Sequence, residues 1–394
     1  MSENCSDRDP ALPIRRQVVE LGNSLIREIA HEGMSNPDII PLWFGEPDLP
    51  TPDFIIAASD SALRSGKTFY TPNLGIPELR ETLSSYMSGL YEHDISLERI
   101  VVTAAAMNGM MMTAEALIDP GDNMVAATPV WPNFLRCVEI MDGQISMVPL
   151  IANPSGWQLD LDHLFDACDA RTRAIYINSP NNPTGWVMDR KQQQQVLDFC
   201  RQRGLWVVSD EVYARIIYDQ SLAPSFLEIA EPDDLVIVIN SFSKSWAMTG
   251  WRLGWITCPR GLTPVIEKLN EYNVASPSAP AQYAGVTAVR DGENFVHTMV
   301  ERYRIARDTI HQRLGSMARV SMPKPHAAFY AFFTVDGMDD SLNFAKWTMR
   351  KTKVGLAPGL AFGAGGENYL RICYAKSPEV LGAALDRLAP VLDA

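Results

Sequence analysis

The segment RAIYINSPNNPTGWVMDRKQQQQVLDFCRQRGLWVVSDE, residues 173–211, sets the pattern of the chain. An apolar run rich in β-branched residues (173–179) gives way to a turn cluster of Asn, Pro and Gly. A stretch with helical spacing follows (189–203), and then a second apolar run (205–211). This is a strand–helix–strand unit, and a helical crossover of this length lays its two strands parallel. The rhythm extends in both directions. Upstream lie RIVVT (99–103), NMVAAT (123–128) and QISMVPL (144–150), with a helical stretch MNGMMMTAEALI at 107–118; downstream lie LVIVINS (235–241) and LGWITC (253–258). Seven such runs predict an α/β fold, a mainly parallel seven-stranded sheet covered by helices. We expect a large domain over 42–275. The pattern changes after about residue 275, where one amphipathic helix is expected from roughly 281 to 314, interrupted near Asp291-Gly292. Residues 1–41 together with 276–394 are expected to form a smaller α+β domain.

Composition narrows the function. Of the 394 residues, 46% are hydrophobic and 21% charged, enough apolar material for a sizeable core. A formal net charge of -13 disfavours nucleic acid or an anionic membrane as partner. The cysteines are scattered without a C-x-x-C pair and the histidines without H-x-x-x-H, so we expect reduced thiols and no catalytic metal. The opening MSENCSDRDP is polar and unlike a signal peptide. No apolar run is long enough for a membrane span. A cytoplasmic protein is the expectation.

Parallel sheets of this kind bind ligands at the carboxyl ends of their strands, and there the unusual residues fall. SFSKSWAMTGWRLGW (241–255) sets the hydroxyls of Ser241 and Ser243 around Lys244, with Arg252 eight residues later. Hydroxyls and a guanidinium suit a phosphate, and a lysine beside them can form an imine with an aldehyde. A solvated lysine is the ordinary alternative, but Ser, Phe, Ser and Trp at a strand end suit it poorly. SPNNPTGWV (179–187) is a turn by composition; Asn182 within it carries an amide able to donate to a ring oxygen. In VVSDEVY (207–213), Asp210 ends a wholly apolar strand. Such a carboxylate needs a partner; a protonated pyridine nitrogen would serve, as would the amides of a following helix that it caps. Tyr213 could share a face with Asp210.

NNPTG, D-E-V-Y and S-F-S-K with Arg252 behind it occur in the order found in fold-type I pyridoxal-phosphate (PLP) enzymes of the class I/II aminotransferase family. The chain resembles that family over nearly its whole length. LWFGEPDLPTP (42–52), FYTPNLGIPELR (69–80) and GLAPGLAFGAGGENYLRICYA (355–375) match further signatures. The resemblance implies PLP as cofactor, with Lys244 as its Schiff-base lysine and proton shuttle. Asp210 would pair with the pyridine nitrogen, Asn182 and Tyr213 would bond the phenolic oxygen, and Trp131 would stack on the ring. Ser241, Ser243 and Arg252 would hold the phosphate, helped by backbone amides at Ala105, Ala106 and Met107. Tyr70 would reach the phosphate in a neighbouring subunit of a homodimer. Arg371 would bind the substrate α-carboxylate beside the backbone of Gly45, with Asn182 nearby. The residues themselves support Arg371: a lone Arg in the alternating strand YLRICY needs a reason, a carboxylate clamp or a structural salt bridge. One departure stands out. The family commonly has Gly where this chain reads Ala104-Ala105-Ala106, and Ala tolerates fewer backbone conformations, so a shifted loop is expected.

The activity implied is transfer of an amino group between an L-amino acid and a 2-oxo acid, in a ping-pong cycle through pyridoxamine phosphate. The same residues could serve a β-lyase, a decarboxylase or an amino-acid oxidase. A regulatory PLP-binding protein without turnover is a rival of another class, disfavoured by the acidity and by the lack of an added DNA-binding segment. A nicotinamide dehydrogenase is disfavoured because no G-x-G-x-x-G follows the first strands. Some aspartate-type relatives carry Lys where Met107 stands. Methionine cannot bind a distal carboxylate, which tilts the donor away from aspartate unless another Arg substitutes.

Overall fold

Val236–Ser241 is buried along its whole length, and its four apolar side chains at 236–239 are fully enclosed. Each such Val or Ile stabilises the fold by roughly 1.5–3 kcal/mol relative to exposure, and a strand so apolar on both faces must be covered by helices on both sides. In the computed structural model, which describes residues 13–153 and 155–393, this strand lies inside a seven-stranded sheet. Across the sheet the order is Ile100–Thr103, Gly254–Thr257, Val236–Ser241, Trp206–Asp210, Thr172–Asn178, Asn123–Thr128 and Gln144–Pro149. Gly254–Thr257 runs antiparallel to both its neighbours, while the remaining pairings are parallel. All seven predicted runs are strands of this one sheet.

Local signals explain the helix ends. Arg190–Arg203 opens on a capping box between Asp189 and Gln192 and closes on Gly204 at φ 65°. The long helix expected from 281 to 314 is two helices, Ala279–Asp291 and Glu293–Gly315, divided at Gly292. The first of them packs on helices Asp53–Arg64 and Pro77–Tyr91. A second, four-stranded antiparallel sheet is ordered Val320–Ser321, Tyr330–Val335, Leu370–Cys373, Ala357–Pro358. Ile40–Pro41 pairs in parallel with Val354–Gly355, tying the N-terminal side of the chain to this later region.

Among the described residues, no helix is long and apolar enough to cross a membrane. The described cysteines, Cys137, Cys168, Cys200, Cys258 and Cys373, carry free thiols. The opening MSENCSDRDP, with Cys5, lies outside the described residues.

Candidate active site

The carboxyl edge of the seven-stranded sheet opens into a cavity of about 610 Å³, a size that suits a cofactor with a small substrate. Asn182, Asp210 and Ser241–Lys244 follow three neighbouring strands and come together here as expected. Ala105, Ala106, Met107, Trp131, Tyr213, Ser243, Arg252, Gly45 and Arg371 also line the cavity. Tyr70 does not. It is 90% exposed and is not among the residues lining its own chain's cavity.

Lys244 and Asp210 are the electrostatic centre. Burial lowers the Lys244 ammonium to about 8 and raises the Asp210 carboxyl to about 6. In both cases desolvation disfavours the charged form. Lys244 Nζ donates to the carbonyl of Gly45 at 2.7 Å. Asp210 accepts only two long hydrogen bonds, from the Tyr176 hydroxyl at 3.3 Å and the Val212 amide at 3.3 Å. A buried carboxylate so sparsely satisfied is prepared for a cationic partner. The side chain of Asn178, one strand over, holds the backbone at both ends of this arrangement: it donates to the Asp210 carbonyl at 3.0 Å and accepts from the Asn182 amide at 2.8 Å.

The residues proposed for a phosphate sit together. Ser241 ends its strand and its Oγ accepts from the Ser243 amide at 3.1 Å. Arg252 follows at φ 54° and its Nη1 donates to the carbonyl of Thr249 at 2.6 Å. Helix Ala106–Leu117 starts beside them. The amides of Ala106 and Met107, in its first turn, have no acceptor within the helix and are suited to an anion. The Ala105 amide, which also faces this cavity, donates to the Thr103 carbonyl at 2.9 Å. Ala105 also shows how the chain meets the Ala-for-Gly departure. It stands at φ 80°, ψ 159°, a region used almost only by glycine, so the loop keeps a glycine-like path under strain rather than relaxing. Gly254 permits the close approach from below, since a Cβ there would lie 2.7 Å from the Ala106 nitrogen.

Arg371 comes from the other sheet. It is 2% exposed, its Nη1 donates to Asn182 Oδ1 at 3.0 Å, and its Nη2 donates to the Trp43 carbonyl. Its Nε is buried without a partner, and no carboxylate pairs with it among the described residues. The salt-bridge alternative therefore lacks its anion, and a buried cation without one invites an anionic ligand. The rings of Tyr330 and Phe362 flank the guanidinium at 4.5 and 4.9 Å. Because Arg371 occupies Asn182 Oδ1, the amide NH2 of Asn182 is left to donate elsewhere.

Sequence reasoning missed Tyr330. Its hydroxyl pairs with that of Tyr213 at 2.6 Å, and burial pushes the Tyr213 hydroxyl well above its usual range. Gly45 exists because of it: a Cβ at 45 would fall 1.8 Å from the Tyr330 oxygen. The aromatic run AFYAFF (328–333) suits a buried strand, but nothing local marks Tyr330 as part of the site.

A mainly parallel sheet thus brings a lysine, an under-satisfied aspartate and an arginine without an anion around one cavity, the groups that an enzyme acting on charged ligands would need. A sequence profile described as aminotransferase class I and II matches residues 37–388. The chain belongs to this family and is an aminotransferase. It is 34% identical over 383 residues to an aspartate aminotransferase of Pyrococcus horikoshii, covering 96% of this chain and 97% of the relative. It is 33% identical to aromatic-amino-acid aminotransferase 2 of Thermococcus litoralis, covering 94% and 95%. The crystal structure of an aspartate aminotransferase from Thermotoga maritima superposes with a TM-score of 0.91 at 31% identity, over 97% of this chain and 100% of that one.

Proposed function

We propose that the enzyme transfers an amino group between an L-amino acid and a 2-oxo acid using PLP, the cofactor of its family, held on Lys244. The observation that carries this is the meeting of half-buried Lys244, buried Asp210 and anion-free Arg371 in one cavity. The residues fit the cofactor: the serines, Arg252 and the amides of Ala106 and Met107 for its phosphate, Asp210 for its ring nitrogen, Asn182 and Tyr213 for its phenolic oxygen, and Trp131 for its face. When bound, PLP supplies an electron sink for the bond broken at the substrate Cα.

The chain's own residues do the rest. Asp210, ionised above about 6, favours a protonated ring nitrogen beside it. Lys244, whose ammonium burial lowers to about 8, is in part a free base near neutral pH and would be able to take up the proton from the substrate Cα. Arg371 orients the α-carboxylate through two parallel hydrogen bonds. Trp43, Phe44 and Tyr330 supply apolar lining that limits water.

Tyr70 is read as reaching the phosphate of a partner subunit in a homodimer, which its exposure supports. Mixing Lys244→Ala with Tyr70→Phe subunits, each impaired alone, then restores activity in hybrids; a fully active monomer would overturn the homodimer. The larger domain, 42–275, and the smaller one, 1–41 with 276–394, are proposed as the two bodies around the cavity, with helix Ala279–Asp291 packed on the larger. Free thiols on the described cysteines support a cytoplasmic setting. The deciding experiment offers amino acids in turn to the holoenzyme and follows its absorbance. Conversion to pyridoxamine phosphate with release of the 2-oxo acid is expected; loss of carbon dioxide or of a β-substituent instead would assign one of the other PLP reactions.

A further inference from the structure

Strand Thr172–Asn178 lies between Trp206–Asp210 and Asn123–Thr128 in the seven-stranded sheet, and its Ala174, Ile175, Tyr176 and Ile177 are fully buried. Three of these four side chains are purely apolar. The fourth carries a hydroxyl into a place that phenylalanine would fill as well. A buried tyrosine hydroxyl needs a partner. That of Tyr176 has one among the described residues, Oδ2 of Asp210 at 3.3 Å. Tyr176 does not line the cavity; it packs in the core, so its hydroxyl meets the carboxylate from the protein interior.

The strand register brings the hydroxyl there. Tyr176 pairs with Val208 on the adjacent parallel strand and Asn178 pairs with Asp210, so the long tyrosine side chain reaches past its own partner to the residue two positions on. Its ring is held by Phe134, which meets it edge-on with centroids 4.6 Å apart. Phe134 lies in the first turn of helix Asn133–Ile140, just beyond the cavity residue Trp131. Tyr176 and Asn178, two residues apart on one strand, share a face. Asn178 donates to the Asp210 carbonyl at 3.0 Å and Tyr176 donates to its side chain. One strand thus holds both the backbone and the carboxylate of Asp210. The Val212 amide, the Lys244 ammonium and the Tyr213 hydroxyl also act on or feel that carboxylate. Burial pushes the Tyr176 and Tyr213 hydroxyls well above their usual range, and the Cys137 thiol near Tyr176 up to about 12. Tyr176 therefore stays a donor, and donation favours the ionised carboxylate against the desolvation that resists it.

We propose that Tyr176 is a positioning residue of the active site: its hydroxyl fixes the rotation of the Asp210 carboxylate and so sets it for the ring nitrogen of the cofactor. This rests on the PLP reading of the same cavity. Tyr176 acts through Asp210 and touches no ligand itself. The competing role is packing, which needs the ring of Tyr176 and not its oxygen. Phenylalanine keeps the first and removes the second.

Tyr176→Phe is therefore the test. In the full chain freed of cofactor, infrared spectroscopy follows the carboxyl band that Asp210→Asn abolishes. Its titration midpoint should rise by about one pH unit in Tyr176→Phe, the worth of one long hydrogen bond to a carboxylate. In the holoenzyme, kcat should fall about tenfold for the same lost contact. KM for the amino acid should hardly move, because Arg371 is untouched. The loss of kcat should disappear when Asp210→Asn is already present, since the hydroxyl then has no carboxylate to act on. An unmoved midpoint, an unchanged kcat, or an equal loss in the Asp210→Asn background overturns the proposal. If no amino acid converts the holoenzyme to pyridoxamine phosphate, the aminotransferase reading fails separately, because the titration is read without cofactor or substrate.

Discussion

One wall of the cavity comes from three adjacent strand ends, at Asn182, Asp210 and Ser241–Lys244; the facing wall comes from Gly45, Tyr330 and Arg371. The first is built from short motifs, each beside its own strand, and the sheet aligns them. The second is gathered over long stretches of chain: Arg371 meets Asn182 across 189 residues and Trp43 across 328. The first wall is polar and incomplete, with a lysine and an aspartate whose charged forms burial resists. The second is largely satisfied and aromatic, with one orphan Nε. On the proposed function, cofactor chemistry falls to the contiguous wall and substrate recognition to the assembled one, and the two should fail differently when mutated.

The largest effect should come from Lys244→Ala. No other lysine lines the cavity, so turnover and the covalent cofactor absorbance should both be lost, while the phosphate cup still retains PLP non-covalently. Near-normal activity, or a borohydride-fixed cofactor in this variant, would break the division between the walls. Asp210→Asn should lower kcat by orders of magnitude without unfolding the protein. It should also stabilise the cofactor-free enzyme. Burial raises the Asp210 carboxyl from 3.8 to about 6, so the folded state binds the proton more tightly than the unfolded one. The ionised group then costs stability progressively as pH rises from 3.8 to 6, on the order of 3 kcal/mol above that window. The gain in melting temperature at pH 7 should vanish below pH 4; a gain that persists there has another cause.

Arg371→Lys tests the assembled wall. Lysine lacks the planar fork, so amino-acid and oxo-acid affinity should fall together by roughly 2–5 kcal/mol, with PLP affinity little changed. An amine without a carboxylate should be nearly indifferent to the change. Release of PLP would move Arg371 to the phosphate side. The smallest effect should be Ala105→Gly. Glycine adopts φ 80° without strain, so the folded protein should gain about 1 kcal/mol in urea unfolding. A loss would mean that the Ala105 methyl packs for more than the backbone suffers.

The contrast between the walls also explains what the sequence made legible. Period, β-branched runs and turn residues are local properties, and they located the seven strands to within one or two residues. Lys244, Asp210 and Asn182 were readable because each sits beside its own strand's end. Tyr330 was not, because its role arises from contact with Gly45 and Tyr213, distant in sequence. The backbone of Ala105 was not readable either: alanine rarely adopts φ 80°, and no local signal marks the position as one that does. The break at Gly292 was visible, although two separate helices were not.

The long reach of Arg371 has a consequence for biosynthesis. Synthesis proceeds from residue 1, so Asn182, Asp210, Lys244 and Arg252 leave the ribosome well before the strand Leu370–Cys373 that carries the arginine. The cradle for a cofactor can form on a chain that has no means yet of gripping an amino acid. On the proposed reading, the one late strand that reaches back to Trp43 supplies the grip on the amino acid, and a chain shorter than about 370 residues would lack it.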